Sequence, residues 1–251
     1  MSTYYLNLGI INRGKGNSVA NFANYITGKA VRDCHSGRYD ELRREDVRFW
    51  DILLPSSSPP EYHDLQDFCD AIEQSERRRD AQLIRYFKAA LPNELPTDEQ
   101  IRIAKQFLLS NFIRQGFGAV VAIHSGTNQD NPLKSNPHMH ALVTLRTIDA
   151  KGLNPKKDRE FYRKSCLRDW REAWARVQNQ AYNRNGLATR VDHRSLKEQG
   201  IDREPTVRLS YSDWIREKNG ERTFAGDQRR AIEARNAERE LVRQQEREIS
   251  R

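Results

Sequence analysis

Two runs of β-branched and aliphatic residues constrain the fold of this 251-residue chain more than any other feature. They occupy residues 118–124 and 138–147, and a polar loop at residues 125–137 separates them. Short apolar runs on either side of a polar, turn-rich loop are typical of paired β-strands. We therefore predict that the two segments form an antiparallel hairpin.

Three histidines lie where the predicted strands meet this loop. His124 ends the first strand, and His138 and His140 begin the second. Side chains at positions i and i+2 of a strand point to one face, with Cα atoms about 7 Å apart, and the hairpin brings His124 close to both. Three neutral imidazoles with open coordination positions can hold a divalent cation. A half-exposed polar strand face without a metal is the alternative, and the spacing alone leaves both open.

The N-terminal region predicts a strand followed by a helix that carries an outward-facing tyrosine. Residues 3–12 alternate as in a strand, and the turn Arg13-Gly14-Lys15-Gly16 follows. Asn17 or Ser18 can cap the helix and Gly28 can end it. The apolar stripe of the helix consists of Val19, Phe22, Ala23 and Ile26. Tyr25 lies well off this stripe, so its hydroxyl is expected to face solvent or a cleft.

Further elements follow from the same patterns. Residues 48–54 predict a strand, a helix runs from about Leu65 to Arg79, and residues 80–92 are helical or extended. Residues 97–100 form a capping box that opens a helix reaching about Gln115. A later amphipathic helix has its apolar residues at helical spacing: Leu167, Trp170, Trp174, Val177 and Ala181. This spacing favours core packing over base stacking for the two tryptophans.

Charge points to a polyanionic partner. The formal net charge is +8, the isoelectric point is about 9.5, and residues 151–194 hold 12 basic against 5 acidic side chains. A basic surface in one segment favours nucleic acid. Three cysteines without paired spacing predict neither a disulfide framework nor a zinc ribbon, and no signal peptide or apolar membrane span is apparent. We expect a cytoplasmic protein without membrane insertion.

The composition changes near Tyr211. From there the chain is rich in charge and poor in large aliphatic residues, which predicts a charged helical extension over residues 211–251 after a main domain over residues 1–210. A histidine cluster, a basic helix and an exposed tyrosine together indicate phosphoryl chemistry on DNA. In such chemistry a metal neutralises a phosphate oxygen while the phenolic oxygen attacks phosphorus.

Six blocks in order carry a family resemblance. They are LGIINRGKGNSVANFANYITG, DILLPSSSPPEY, DAQLIRYFKAALPNEL, VVAIHSG, NPHMHALVTLR and RVDHRSLKEQGIDREPT. Through them the chain resembles the MobA/MobL family of plasmid mobilisation relaxases, which are His-hydrophobic-His endonucleases. The resemblance covers residues 1–206. It implies an α+β fold, with a central antiparallel sheet flanked by helices.

The resemblance also implies a function and a site. It implies strand-specific nicking and rejoining of single-stranded DNA at an origin of transfer through a 5′-phosphotyrosine. Tyr25 would be the nucleophile, and His124, His138 and His140 would bind one divalent ion, Mn²⁺ or Mg²⁺. Accessory relaxosome proteins and a type IV coupling protein would be partners, and the protein could be translocated with the DNA. For DNA contacts we select the cationic residues of two blocks: Arg13, Lys15, Arg190, His193 and Arg194.

The sequence departs from the family pattern at three places. Tyr86 and Lys88 stand where acidic residues are expected before Ala-Leu-Pro, and these positions would support a ligand histidine or accept a proton. Residues 206–210 lack the usual histidine, and the chain stops after a charged helix where many relatives continue. Two alternatives follow: a non-catalytic origin-binding protein, or an initiator of rolling-circle replication.

Overall fold

A central antiparallel sheet organises the protein. The computed structural model describes residues 4–38, 44–127 and 135–249. Five strands pair in the order β1-β3-β5-β4-β2, and a short sixth strand pairs with β5. The strands are β1 (Leu6–Asn12), β2 (Val47–Leu53), β3 (Gln82–Ala90), β4 (Phe117–His124), β5 (His138–Asp149) and β6 (Gly152–Leu153).

The predicted hairpin is confirmed and forms part of the sheet centre. β4 pairs with β5 in antiparallel register, and every residue of β4 is buried. A strand that is covered on both faces needs apolar residues at both odd and even positions, which explains the unbroken run over residues 117–123. The register places His124 opposite His138. The hairpin thus fixes where these two histidines meet.

Residues 80–92, for which the pattern left helix and extended chain open, are largely strand. β3 pairs with β1 on one side and with β5 on the other. Its polar residues lie on both faces, Gln82 and Lys88 on one and Arg85 on the other, so the sequence shows no clear period of two. Phe87 points to one face, while Tyr86 and Lys88 point to the other.

Two helices cover one face of the sheet. They are α3 (Thr97–Asn111) and α4 (Lys164–Arg184), and an aromatic cluster fills the space beneath them. Its members are Phe87, Phe107, Phe112, Trp170 and Trp174. Edge-to-face contacts dominate, with Phe107 and Trp174 centroids 5.1 Å apart. Core packing of both tryptophans is confirmed.

The opposite face carries α1 (Val19–Thr27) and α2 (Leu65–Gln74). The Ser18 hydroxyl accepts a hydrogen bond from the Asn21 amide at 3.1 Å, and Gly28 ends α1 with a left-handed φ of 66°. Both predicted ends of α1 are therefore confirmed. A third interaction fixes the start of α1, since the Glu73 carboxylate accepts from the Val19 amide at 2.7 Å.

Two helices are shorter than predicted. α2 ends at Gln74, because its last carbonyls are taken over by side chains: the Arg13 guanidinium donates to the Glu73 carbonyl and the Ser75 hydroxyl to that of Ile72. α3 ends at Asn111 and continues as a 3₁₀ turn to Gln115, which Gly116 closes at a φ of 89°. The starts and the helical interiors of both predictions are correct, and the C-terminal ends are not.

The chain divides into two compact units, residues 1–193 and 194–251. The second unit contains α5 (Tyr211–Lys218) and α6 (Phe224–Ile249), the latter with an i,i+4 pair between Arg229 and Glu233. The charged helical extension is thus present, while its separation from a functional domain at residue 210 stays a prediction. Among the described residues, no helix combines the length and apolarity that crossing a bilayer requires.

Candidate metal and nucleophile site

Three histidines converge at one end of the sheet. His124 ends β4, His138 opposes it at the start of β5, and His140 follows on the same face. Their ring centroids lie 4.5 to 5.3 Å apart. One ring nitrogen from each can be chosen so that all three lie within 4.8 Å of one another. The structure therefore brings together the three residues that strand geometry grouped.

Backbone carbonyls orient two of the rings. Nε2 of His124 lies 2.7 Å from the Ile26 carbonyl oxygen, and Nδ1 of His138 lies 2.7 Å from that of Asn136. A carbonyl only accepts, so these nitrogens carry the protons and donate. Nδ1 of His124 and Nε2 of His138 are left with free lone pairs. Such a second hydrogen bond is the usual way in which a protein fixes the tautomer of a metal-binding histidine.

A tyrosine orients the third ring. The Tyr86 hydroxyl lies 2.6 Å from Nδ1 of His140, which leaves Nε2 as the atom available to a ligand. Among the described residues, buried Nε2 of His140 and buried Nδ1 of His124 have no hydrogen-bond partner. Buried polar atoms without partners are costly unless something else binds them. This donor set fits a cation that accepts three imidazole nitrogens.

Burial keeps these imidazoles neutral. It lowers the pKa of His124 and lowers that of His138 to about 4, and the positive charge of Lys88 acts in the same direction on both. The pKa of His140 is also lowered, first by burial and then by its two histidine neighbours. Neutral imidazole is the form that binds metals, so the site needs no deprotonation at pH 7.

Tyr86 and Lys88, the residues found in place of expected acids, both face this cluster. Lys88 is paired with His140 in the register of β3 and β5, and Tyr86 lies two residues away on the same face. Burial raises the pKa of Tyr86, which keeps its hydroxyl protonated. Tyr86 thus occupies the supporting position with a neutral hydroxyl, whereas Lys88 adds a positive charge beside the ligands.

Tyr25 lies beside the cluster. Its ring centroid is 5.8 Å from that of His140 and 6.5 Å from that of His124. The side chain is 41% exposed, although its neighbours Asn24 and Ile26 on α1 are buried. The off-stripe position predicted from the helical pattern is therefore confirmed, and the cleft that Tyr25 faces is the histidine cluster.

Two further charged residues join the site and were missed by sequence reasoning. The Arg44 guanidinium lies 4.5 Å from the centre of the Tyr25 ring and forms two 2.9 Å hydrogen bonds with the Asp46 carboxylate. An Asp46 oxygen lies 3.5 Å from Nδ1 of His124. Burial acts to raise the pKa of Asp46, but the hydrogen bonds from Arg44 together with the electrostatic interactions with His124 and Arg44 outweigh it, and the pKa is lowered. An Arg-x-Asp triplet before a strand carries no pattern that marks it as functional.

Those of the five predicted DNA contacts whose side chains the structure describes do not gather at this site. Arg13 is committed to the protein itself: its guanidinium binds the buried Glu73 carboxylate at 2.6 Å and the carbonyls of Glu73, Glu76 and Arg78. The backbone of Lys15 forms part of a 3₁₀ turn, but its side chain lies outside the described residues.

The other three predicted contacts lie after α4. Arg190 is exposed and donates to the carbonyls of Leu187 and Thr189. His193 lies 3.8 Å from an Asp192 oxygen, and Arg194 is exposed. Arg190 and His193 belong to the first unit and Arg194 to the second. Their contact with DNA stays a prediction.

Comparison with known proteins agrees with this geometry. The model of the MobA/MobL family matches residues 17–218. A probable mobilization protein MobA of Bifidobacterium longum is 29% identical over 88% of this chain, and Mobilization protein A of Escherichia coli is 30% identical over 95%. The chain spans 45% of the first protein and 33% of the second, so it corresponds to less than half of either.

A solved structure shares the fold. It is described as "Molecular Basis of Vancomycin Resistance Transfer in Staphylococcus aureus", and the two superpose with a TM-score of 0.70. The match covers 77% of this chain and 100% of the other, at 24% sequence identity. The arrangement of an antiparallel sheet between helices is therefore an established one.

Proposed function

The chain belongs to the MobA/MobL family, and from this premise we propose that it nicks and rejoins one DNA strand at an origin of transfer to initiate conjugative mobilisation. One observation carries the proposal: the Tyr25 ring stands beside three histidines whose free nitrogens converge. A phenol next to a cation site on a basic protein suits attack on a phosphodiester.

The proposed reaction is a transesterification that needs no co-reactant. The Tyr25 oxygen bonds to phosphorus, the bond from phosphorus to the 3′ oxygen breaks, and the phenolic proton is balanced by the proton that the leaving 3′ oxygen gains. The products are a 5′-phosphotyrosine and a free 3′ hydroxyl. Attack by a 3′ hydroxyl on the phosphotyrosine reverses these changes and reseals the strand.

Residues around Tyr25 support this attack. A free phenol has a pKa of about 10, so at pH 7 it is a poor nucleophile. The Arg44 guanidinium over its ring places positive charge beside the attacking group, where it can stabilise the negative charge of the phosphate, and Asp46 holds that guanidinium in place with two hydrogen bonds. Tyr25 is 41% exposed, so water can reach this side chain and carry the proton away.

His124, His138 and His140 would hold one divalent ion, for which we propose Mn²⁺ or Mg²⁺. When bound, such an ion supplies positive charge to a non-bridging phosphate oxygen. Imidazole-rich sites favour Mn²⁺ over Mg²⁺ by ligand softness. Tyr86 would hold the His140 ring in the orientation that presents Nε2, and it takes the supporting position of the expected acid.

Single-stranded origin DNA is the proposed substrate, and accessory relaxosome proteins and a coupling protein are proposed partners. Tyr25→Phe tests the nucleophile. With Mn²⁺ and a single-stranded origin oligonucleotide, the wild-type protein should form a covalent adduct that survives denaturing electrophoresis, and the variant should form none. Tyr211→Phe, which changes a tyrosine that is 77% exposed, is the matched control and should form the adduct normally.

The alternatives give other outcomes in the same assay. An adduct that persists in the Tyr25→Phe variant removes Tyr25 from its role. If the wild-type protein binds the oligonucleotide but does not cut it with any of the divalent ions tested, the protein is an origin-binding protein without catalysis.

A further inference from the structure

A pocket lined by positively charged side chains lies at the end of the sheet opposite the histidines. Two adjoining cavities of about 580 and 610 Å³ open there, and they share Glu76, Arg78, Lys157 and Arg159. We call them together the basic pocket. Its cationic lining residues are Arg78, Arg85, Arg146, Lys156, Lys157 and Arg159. Along β5, Arg146 lies eight residues after His138, so the pocket lies about 27 Å from that histidine at the usual rise per residue.

Charge in the basic pocket is unbalanced. Three carboxylates line it, namely Glu76, Asp80 and Asp158, against six cations. Glu76 is already used, since its carboxylate pairs with Arg146 at 2.8 Å and with Lys157 at 3.0 Å. An Asp158 oxygen accepts the Phe161 amide at 3.0 Å. Glu76 therefore holds two of the cations in place, and the six cations outnumber the three carboxylates.

The floor of the pocket is fixed. Arg146 donates to the carbonyls of Asn154 and Ser75 in addition to Glu76, and the Lys157 ammonium donates to the Gln82 carbonyl at 2.6 Å. Arg13 holds the same loop from beneath, through the carbonyls of Glu76 and Arg78. Cations held in place lose less side-chain entropy when a ligand binds.

Arg78, Lys156 and Arg159 form the rim. All three are exposed, and within the described ranges their side chains have no ion pair. Guanidinium groups bind phosphate through paired hydrogen bonds, and an ammonium binds it as a point charge. Each cavity alone has the volume of a drug-sized ligand site, so the pair suits an extended anion over a single small one.

We propose that the basic pocket binds the phosphodiester backbone of DNA flanking the cleavage site. This inference rests on the proposed function, because DNA is the polyanion which that function supplies. Contacts to phosphates fix register without reading bases. This distance of about 27 Å corresponds to about eight successive nucleotides along one strand of duplex DNA. The pocket would thus hold DNA at a set distance from Tyr25.

The test compares two triple variants. Arg78→Gln/Lys156→Gln/Arg159→Gln removes the rim, and Arg32→Gln/Arg102→Gln/Arg114→Gln removes the same charge from exposed positions outside both the pocket and the basic segment at residues 151–194. Binding of a fluorescent 30-base-pair duplex is measured by anisotropy at several salt concentrations. Each phosphate that the protein no longer neutralises reduces the slope of log K against log salt concentration by about 0.9. The slope for the rim variant should be smaller by about 2 to 3, and that for the control variant by less than 1.

Equal slopes for wild type and rim variant, or equal reductions in both variants, would overturn the proposal. Rim-dependent binding of inorganic phosphate at millimolar concentration, with duplex binding unchanged in the rim variant, would also overturn the proposal, because it would assign the pocket to a small anion. The adduct with a short single-stranded origin oligonucleotide reports separately on the proposed function. It should be unaffected in the rim variant, and its absence from wild type would contradict relaxase activity while the salt slope still reports on the pocket.

Discussion

Tyr86 should control how tightly the three histidines bind a metal. Its hydroxyl lies 2.6 Å from Nδ1 of His140, the residue whose Nε2 is buried without a partner. Tyr86→Phe removes this hydrogen bond and leaves the ring in place. Removal of a hydrogen-bond partner behind a ligand costs 10- to 100-fold in metal affinity as a rule, which is about 1.4 to 2.7 kcal/mol. We expect a reduction of about this size for Mn²⁺.

The assay is calorimetric titration of the apoprotein with Mn²⁺, accompanied by thermal unfolding without metal. Tyr62→Phe is the matched control, since Tyr62 is a buried tyrosine that packs against Phe68 and Gly152, whereas Tyr86 is half-buried beside the histidines. Both variants should lower the unfolding temperature to a similar degree, but only Tyr86→Phe should weaken Mn²⁺ binding. An unchanged Mn²⁺ affinity in Tyr86→Phe, or an equal reduction in Tyr62→Phe, would show that Tyr86 only packs in the core.

Two other substitutions separate charge effects from structural ones. The charge of Lys88 acts on all three histidines, so Lys88→Met should tighten Mn²⁺ binding by on the order of 1 kcal/mol, about fivefold, and an unchanged or weaker affinity in the same titration would contradict this. Arg13→Ala leaves the Glu73 carboxylate, which is 1% exposed, without its main partner, and should cost about 3 kcal/mol in the free energy of unfolding measured by urea denaturation. A stable Arg13→Ala variant with a reduced salt dependence of DNA binding would instead restore Arg13 as a DNA contact.

The sequence predicted the centre of the sheet and the grouping of the histidines. Residues 118–124 and 138–147 have the length, apolarity and connecting polar loop that only paired strands explain, and His124, His138 and His140 follow from their register. The position of Tyr25 followed from its angle on a short capped helix. Each of these inferences used a local period or a local pairing.

The remainder depended on contacts between distant segments. β3 lies between two strands and has polar residues on both of its faces, so its sequence has no clear alternation. Arg44 and Asp46 join the site because the segment before β2 lies beside the end of β4, which no short motif encodes. The basic pocket combines residues near 80 with residues near 155, and a count of charges along the chain cannot locate it.

Identification of the residue that becomes attached to DNA tests the central claim most directly. Trypsin cleavage after Lys15 and Lys29 releases residues 16–29, GNSVANFANYITGK, in which Tyr25 is the single tyrosine. After incubation with Mn²⁺ and a single-stranded origin oligonucleotide, followed by nuclease and trypsin digestion, mass spectrometry should find this peptide carrying a nucleotide through a 5′-phosphate on Tyr25. A nucleotide attached to any other tyrosine, or a cut strand with no attached peptide, would contradict the account.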